Sequence, residues 1–180
     1  LSVRSTVDKG SRFSVEVPSG SPLVVKVPGY QKVTLSASET PAEVVLKPQH
    51  VKAAYLTYYG FADRGIRSRV LDLVDRTELN AVVIDVKGDR GWVLYRTGVP
   101  LANEIGARGP ATVKDFDSMM ADFKARGIYT IARIVAFKDN VLATARPDWA
   151  ITDTRTGKPW TDRERLAWVD PFRTEVWDYN

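Results

Sequence analysis

Two stretches of this chain are almost wholly apolar and β-branched, and each ends in charge. Residues 81–88 read Ala-Val-Val-Ile-Asp-Val-Lys-Gly, and residues 129–139 read Tyr-Thr-Ile-Ala-Arg-Ile-Val-Ala-Phe-Lys-Asp. Such runs are read as strands buried on both faces, the habit of parallel sheets covered by helices. Residues 53–59 (Ala-Ala-Tyr-Leu-Thr-Tyr-Tyr) give a first strand of the same kind. Between these runs the period changes. Ile66, Val70, Leu71 and Val74 share one helical face, with Leu73 beside them and Arg67, Arg69 and Asp72 turned away. Phe116, Met119, Met120 and Phe123 make the apolar face of a second helix. Thr112 is its expected cap, with Asp115 three residues on, and Gly127 its stop. Residues 88–111 read as a long connection and 138–170 as a Trp-rich excursion. A last helix is expected from near Pro171 to Asn180.

Before residue 48 the pattern is different. Short runs at 13–17, 22–27, 31–36 and 43–47 alternate apolar and polar positions, as half-buried antiparallel strands do. Pro18-Ser19-Gly20, Pro28-Gly29 and Glu39-Thr40-Pro41 separate them. Residues 1–48 therefore read as a small β-sandwich-like segment, and Lys47-Pro48-Gln49-His50 as a linker. The run 23–35 resembles the small sandwiches of the PEGA or carboxypeptidase-regulatory type.

From residue 51 the predicted order is β-α-β-α-β-loop-α. Right-handed crossovers between parallel strands fit a doubly wound sheet or a (β/α)8 barrel. Two observations favour the barrel over a Rossmann-like cofactor enzyme. Neither Gly60…Gly65 nor Gly88…Gly91 has the spacing and following helix of a phosphate loop. The long excursions follow the second and third strands, where barrel enzymes keep substrate loops. A barrel needs about 250 residues. The expected fold is thus α/β: an incomplete (β/α)8 TIM-type barrel, its first three β/α units at 51–180, preceded by a small antiparallel β segment.

Composition narrows the function classes. The net charge of +4 comes from basic residues interleaved with acids (Asp63-Arg64, Asp75-Arg76, Asp162-Arg163-Glu164-Arg165), a pattern of solvated surface rather than nucleic-acid binding. With no cysteine there is neither a disulfide framework nor a thiolate metal site. His50 is the only histidine and falls in the linker, so no histidine triad or His-rich metal site is expected. No cofactor is expected, and no apolar run approaches the roughly 20 residues of a membrane helix. Leu1 in place of a start methionine reads as an excised or processed segment.

Strand parity picks out the candidate chemistry. Val83, Asp85 and Lys87 share one face of the second strand, and Ile131, Arg133, Val135 and Phe137 one face of the third. A charge on the helix-covered side would be very costly, so Asp85, Lys87 and Arg133 are expected to point into the barrel mouth. Parallel neighbours lie about 4.8 Å apart, so Asp85 and Arg133 can pair directly. Such a pair either meets substrate or braces the lumen. Lys138 and Asp139, just past the third strand, are rim hydrogen-bonders or a solvated loop start. Asp162 and Glu164 read as a solvated charge run.

Five tryptophans and seven tyrosines, many in loops, suit a cleft for sugars, whose C–H faces stack on flat rings. Tyr55, Tyr58 and Tyr59 fall on or just after the first strand, and Tyr58 is the one assigned to substrate. Trp92 and Tyr95 fall in the first long loop, and Trp149, Trp160 and Trp168 in the second. Tyr95 and Trp149 are expected to anchor loops and Trp168, beside Val169-Asp170-Pro171, to touch substrate.

Residues 77–87, 127–139, Arg146-Pro-Asp-Trp149, and 166–171 with Glu175-Val-Trp-Asp-Tyr-Asn180 resemble the DUF4015 family of glycoside-hydrolase-like domains. The resemblance covers 51–180. It implies a (β/α)8 barrel related to the α-amylase group, acting on polysaccharide or oligosaccharide. It also implies that the nucleophile and the general acid lie on later strands, beyond Asn180, so no catalytic residue is assigned within the chain. Asp85, Arg133 and Asp170 match motif positions and are carried over as active-site support only. The remainder of the barrel is then the expected structural partner, and a secreted or envelope-associated location is expected. The alternative is a non-catalytic glycan- or envelope-binding protein that keeps an aromatic cleft without chemistry.

Overall fold

The computed structural model describes residues 2–6, 10–14, 20–36 and 43–180. Its contacts divide the chain into two units, Leu1–His50 and Val51–Asn180.

The first unit holds two antiparallel hairpins. One pairs β1 (Ser2–Thr6) with β2 (Gly10–Ser14), and the other pairs β3 (Leu23–Val25) with β4 (Val33–Leu35). Three expectations change here. Ser2–Thr6 is a strand that the apolar pattern does not reveal. The strand expected at 13–17 is seen only through Ser14, and its remainder, with Pro18, Ser19 and 39–41, lies outside the described residues. Residues 43–47 form no strand. Their segment meets the hairpin through a single bridge, Tyr30 to Pro48, flanked by Gln31 N–H to Lys47 O (2.9 Å) and Gln49 N–H to Gly29 O (2.8 Å). Proline has no N–H to continue a ladder.

The second unit is an α/β fold on a mixed sheet. Its spine is three parallel strands, β5 (Ala53–Leu56), β6 (Ala81–Lys87) and β9 (Tyr129–Ile134), with β6 between the other two. Thr57 caps a short helix, α1 (Tyr58–Ala62), by accepting from Gly60 N–H. Asp63 then caps α2 (Arg64–Arg76) by accepting from Ile66 N–H at 2.8 Å. Leu71 and Val74 carry the buried face of α2, whereas Ile66 stays exposed. The first strand is therefore shorter than expected, because Tyr58 and Tyr59 wind into α1.

The stretch 88–111 is more than a connection. It contains β7 (Val93–Tyr95) and α3 (Pro100–Glu104), and it starts β8 (Arg108–Val113). β7 runs antiparallel to β6 and parallel to β8, which makes the sheet mixed. Thr112 is consequently a strand residue, and its hydroxyl donates to Gly109 O at 2.8 Å instead of capping a helix. α4 (Phe116–Ala125) starts after Asp115 with no side-chain cap, and Gly127, at φ +69°, ends it in the left-handed conformation.

Phe61, Phe123, Leu56, Val82, Ile84 and Leu94 fill the core between the helices and the sheet. A second cluster, with Leu142, Ala143, Val169 and Val176, packs the excursion. There α5 (Asn140–Ala145), a 3-10 turn at Pro147–Trp149, and bridges from Ala150 to Val169 and Thr161 to Ala167 replace open loop. The last helix, α6, spans Thr174–Tyr179, starting later than Pro171.

Candidate functional site

The carboxyl ends of β5, β6 and β9 open into one cavity of about 250 Å³. Ligand sites of parallel α/β folds lie at this end of the strands. Asp85 and Arg133 are paired positions on β6 and β9, and Arg133 Nη1 donates to Asp85 Oδ1 at 2.6 Å. Tyr55 sits opposite Val83 in the β5–β6 register, so it shares the face of Asp85, and its hydroxyl donates to Asp85 Oδ2. Arg133 Nη1 also lies 3.3 Å from the Tyr55 hydroxyl. Asp85 is only 6% exposed, whereas Tyr55 and Arg133 are about half open to solvent, at 50% and 48% of the side chain for Arg133.

Electrostatics follow from this triad. The hydrogen bond to Asp85 raises the Arg133 guanidinium further above its ordinary value, so Arg133 stays charged. Burial, and next the bond to Asp85, push the Tyr55 hydroxyl above its ordinary value, so Tyr55 remains a proton donor at neutral pH.

Three further aromatic rings line the same cavity. Tyr58, Tyr59 and Trp92 pack edge-on or tilted, with ring centroids 5.1 Å (Tyr58–Tyr59), 5.9 Å (Tyr58–Trp92) and 6.3 Å (Tyr59–Trp92) apart. Tyr58 is buried, and its hydroxyl accepts from Ala111 N–H at 3.1 Å, so it braces the wall that Tyr59 and Trp92 present. Gly109 makes this packing possible. A Cβ there would lie 2.5 Å from both Trp92 Cγ and the Tyr58 hydroxyl. Asp89 and Arg90, just past β6, complete the rim.

The other expected site residues gather elsewhere. The β6–β9 register slips between Asp85 and Lys87. Lys87 is 5% exposed and lies outside the cavity lining, with Nζ 2.6 Å from Asp139 Oδ2, 2.7 Å from Asn180 Oδ1 and 4.6 Å from the Tyr179 ring centroid. Burial lowers its pKa, against the opposing pull of Asp139. Asp139, expected at the rim, is fully buried. Its Oδ1 caps α5 by accepting from Leu142 N–H at 2.8 Å. β9 ends at Ile134, and Val135 N–H still donates to Lys87 O at 3.1 Å.

Lys138 draws together charges expected to be solvated. Its Nζ contacts Glu164 directly, lies 2.9 Å from Asp162 and reaches Asp89 at 3.7 Å. Lys138, and then the backbone and Trp168 bonds, hold Asp162 well below the ordinary carboxylate range, while the two carboxylates raise Lys138. Trp168 Nε1–H donates to Asp162 Oδ2 at 3.2 Å and its ring meets Trp160 at 6.3 Å, so the structure places it in the excursion rather than on the cavity wall. Asp170 accepts from Phe172 N–H at 2.9 Å in the turn before α6. Tyr95 stacks on Phe116 at 4.5 Å and Trp149 packs beneath Arg146, both anchoring contacts.

Tyr55, Tyr59, Asp89, Arg90 and Trp92 are cavity residues not assigned to the site from sequence. For four of them the usable signal is position: each lies within a few residues after a strand end. Among the described residues no group of three or more His, Asp or Glu side chains is arranged to hold a metal ion, and no helix is long and apolar enough to cross a membrane.

The DUF4015 family model, described as "Putative glycosyl hydrolase domain", matches residues 53–180. The crystal structure of a hypothetical protein from Ruminiclostridium thermocellum ATCC 27405 is similar to this chain, with 35% identity and a TM-score of 0.63 over 69% of this chain and 64% of that one. This chain thus spans less than two thirds of that relative's length. No curated protein matches the sequence.

Proposed function

The chain belongs to the DUF4015 family, and on that premise we propose that it forms the sugar-binding side of a glycoside hydrolase acting on polysaccharide. One observation carries this reading. A single cavity at the carboxyl ends of three parallel strands combines an ionic carboxylate–guanidinium pair with an aromatic wall. Sugars need both elements: charged hydrogen-bonding groups for hydroxyls and flat rings for C–H faces.

The consecutive order β5, β6, β9, with α2 and α4 in the crossovers, supports reading these elements as the first three β/α units of a (β/α)8 barrel. Within such a barrel we assign Asp85 to orientation rather than to bond cleavage. Both its oxygens already hold donors, one from Arg133 and one from Tyr55. At 6% exposure, with each oxygen tied to a side chain that lines the cavity, Asp85 suits holding those side chains in place more than reaching a scissile bond. The reacting pair of carboxylates, about 5–9.5 Å apart, then belongs to later strands of the longer fold.

The test is a titration of the full 180-residue chain with a panel of oligosaccharides, followed by tryptophan fluorescence. Saturable quenching that weakens in Tyr59→Ala is the expected result. Silence across a broad panel would remove the sugar-binding reading. Glycosidic hydrolysis by this chain would overturn the placement of the reacting pair on later strands.

A further inference from the structure

We propose that this cavity takes a sugar ring bearing an anionic substituent, a carboxylate or a sulfate, and that Arg90 selects it. The inference rests on the sugar-binding reading above and adds the substrate class.

It follows from which polar groups of the cavity are already engaged. Asp85 is neutralised by Arg133 and bonded by Tyr55. Asp89 lies 3.7 Å from Lys138 Nζ. Arg90 is exposed on the same rim, and its side chain makes no hydrogen bond or ion pair with any described residue. Its guanidinium instead lies over Trp92, with Cζ 5.6 Å from the ring centroid. This cation–π contact holds the group at the rim without using any of its N–H donors in a hydrogen bond.

The backbone beneath it is fixed. Arg90 O accepts from Val141 N–H at 3.2 Å, and Gly91 N–H donates to Gly88 O at 3.0 Å, closing the turn that carries Arg90. The cavity therefore presents one cation whose side chain pairs with no carboxylate among the described residues, held over Trp92 and near the exposed Tyr59 ring. A neutral sugar offers the guanidinium hydroxyl acceptors but no opposite charge. A carboxylate or sulfate on the ring accepts its N–H groups in the two-pronged geometry that arginine favours.

The experiment is calorimetric titration of the 180-residue chain with short oligouronides, sulfated oligosaccharides and neutral oligosaccharides of matched length and linkage. At least one anionic ligand is expected to bind about tenfold tighter than its neutral match. That advantage should shrink as salt rises from about 50 to about 500 mM. Arg90→Gln should erase the difference between anionic and neutral ligands, and Arg90→Lys should restore part of it. Because Arg90 is exposed, neither change threatens the fold, which a thermal melt checks. The uronide and sulfate arms show which anion is preferred. Equal or tighter binding of neutral ligands, or a preference that survives Arg90→Gln, overturns this proposal and leaves the sugar-binding reading standing. Binding of no ligand in any arm overturns both.

Discussion

Asp85 and Arg133 face each other as register partners on adjacent parallel strands, and their side chains meet at 2.6 Å at the mouth of the sheet. Strand pairing sets the distance, so the pair needs no loop to assemble it. Tyr55, one strand further across, fixes the second carboxylate oxygen. The three side chains form a rigid polar floor built on strands, the kind of support that holds a bound ring in one orientation.

Removing the charge at Asp85 tests that floor. Asp85→Asn keeps the size of the side chain but offers Arg133 a neutral partner and can turn an N–H₂ toward it. A stability loss of about 1–2 kcal/mol is expected, held down because Arg133 is half exposed. Sugar affinity should fall about tenfold. Urea denaturation and ligand titration check the two effects separately. An unchanged affinity with reduced stability would make the pair purely a brace.

Gly91 tests the buried pair behind the cavity. Its φ is +86°, and a Cβ there would fall 1.9 Å from Asp139 Oδ1. Gly91→Ala must displace the carboxylate that both caps α5 and neutralises Lys87. A loss of about 3 kcal/mol or more is expected, because backbone strain adds to an exposed flaw in a buried ion pair. Gly157→Ala is the control. It has φ +69° and open space around it, so only the strain of about 1–2 kcal/mol applies. Equal losses in urea denaturation would contradict the packing at Gly91.

Much of this arrangement is legible in the sequence, for a physical reason. Strand parity and parallel pairing are local rules, and they suffice to bring Asp85 to Arg133. Helical spacing likewise identifies Phe116, Met119, Met120 and Phe123 as one face, which packs on the core. The rules fail where contacts are distant or elements short. Lys87 leaves the expected face where the register slips, and its partner Asp139 lies beyond the next strand. The three-residue β7 hides between glycines, and its pairing with β6 and β8 claims Thr112 for a strand before it can cap a helix. Asp162 looks solvated because nothing nearby in sequence says that Lys138 will reach it, and Glu164, which does stay exposed at 62% of its side chain, is drawn into the same pairing.

That Lys138 cluster gives a pH dependence with a definite sign. Asp162 titrates well below its ordinary 3.8, chiefly through Lys138. A carboxylate depressed in the folded state stabilises it above the unfolded value and loses that contribution as pH falls further. The stability difference between the parent chain and Asp162→Asn should therefore be full at pH 6 and shrink below about pH 4. Denaturation curves at several pH values, read by tryptophan fluorescence because Trp168 donates to Asp162, measure it. A difference that stays constant down to pH 2 would mean that Asp162 contributes by shape alone.

The side of β9 that meets no other strand among the described residues gives the last expectation. β9 pairs with β6, and most of its residues are exposed, including Tyr129 and the 46%-exposed Ile134. A strand with unpaired N–H and C=O groups and apolar side chains is a template for another strand. The isolated 180-residue chain should therefore self-associate with rising concentration. Ile134→Lys should shift it toward monomer, because a charge on the edge opposes strand addition. Light scattering across a concentration series decides the matter. A chain that is monodisperse at every concentration would show that this edge is protected, whereas association unaffected by Ile134→Lys would place the contact on another surface.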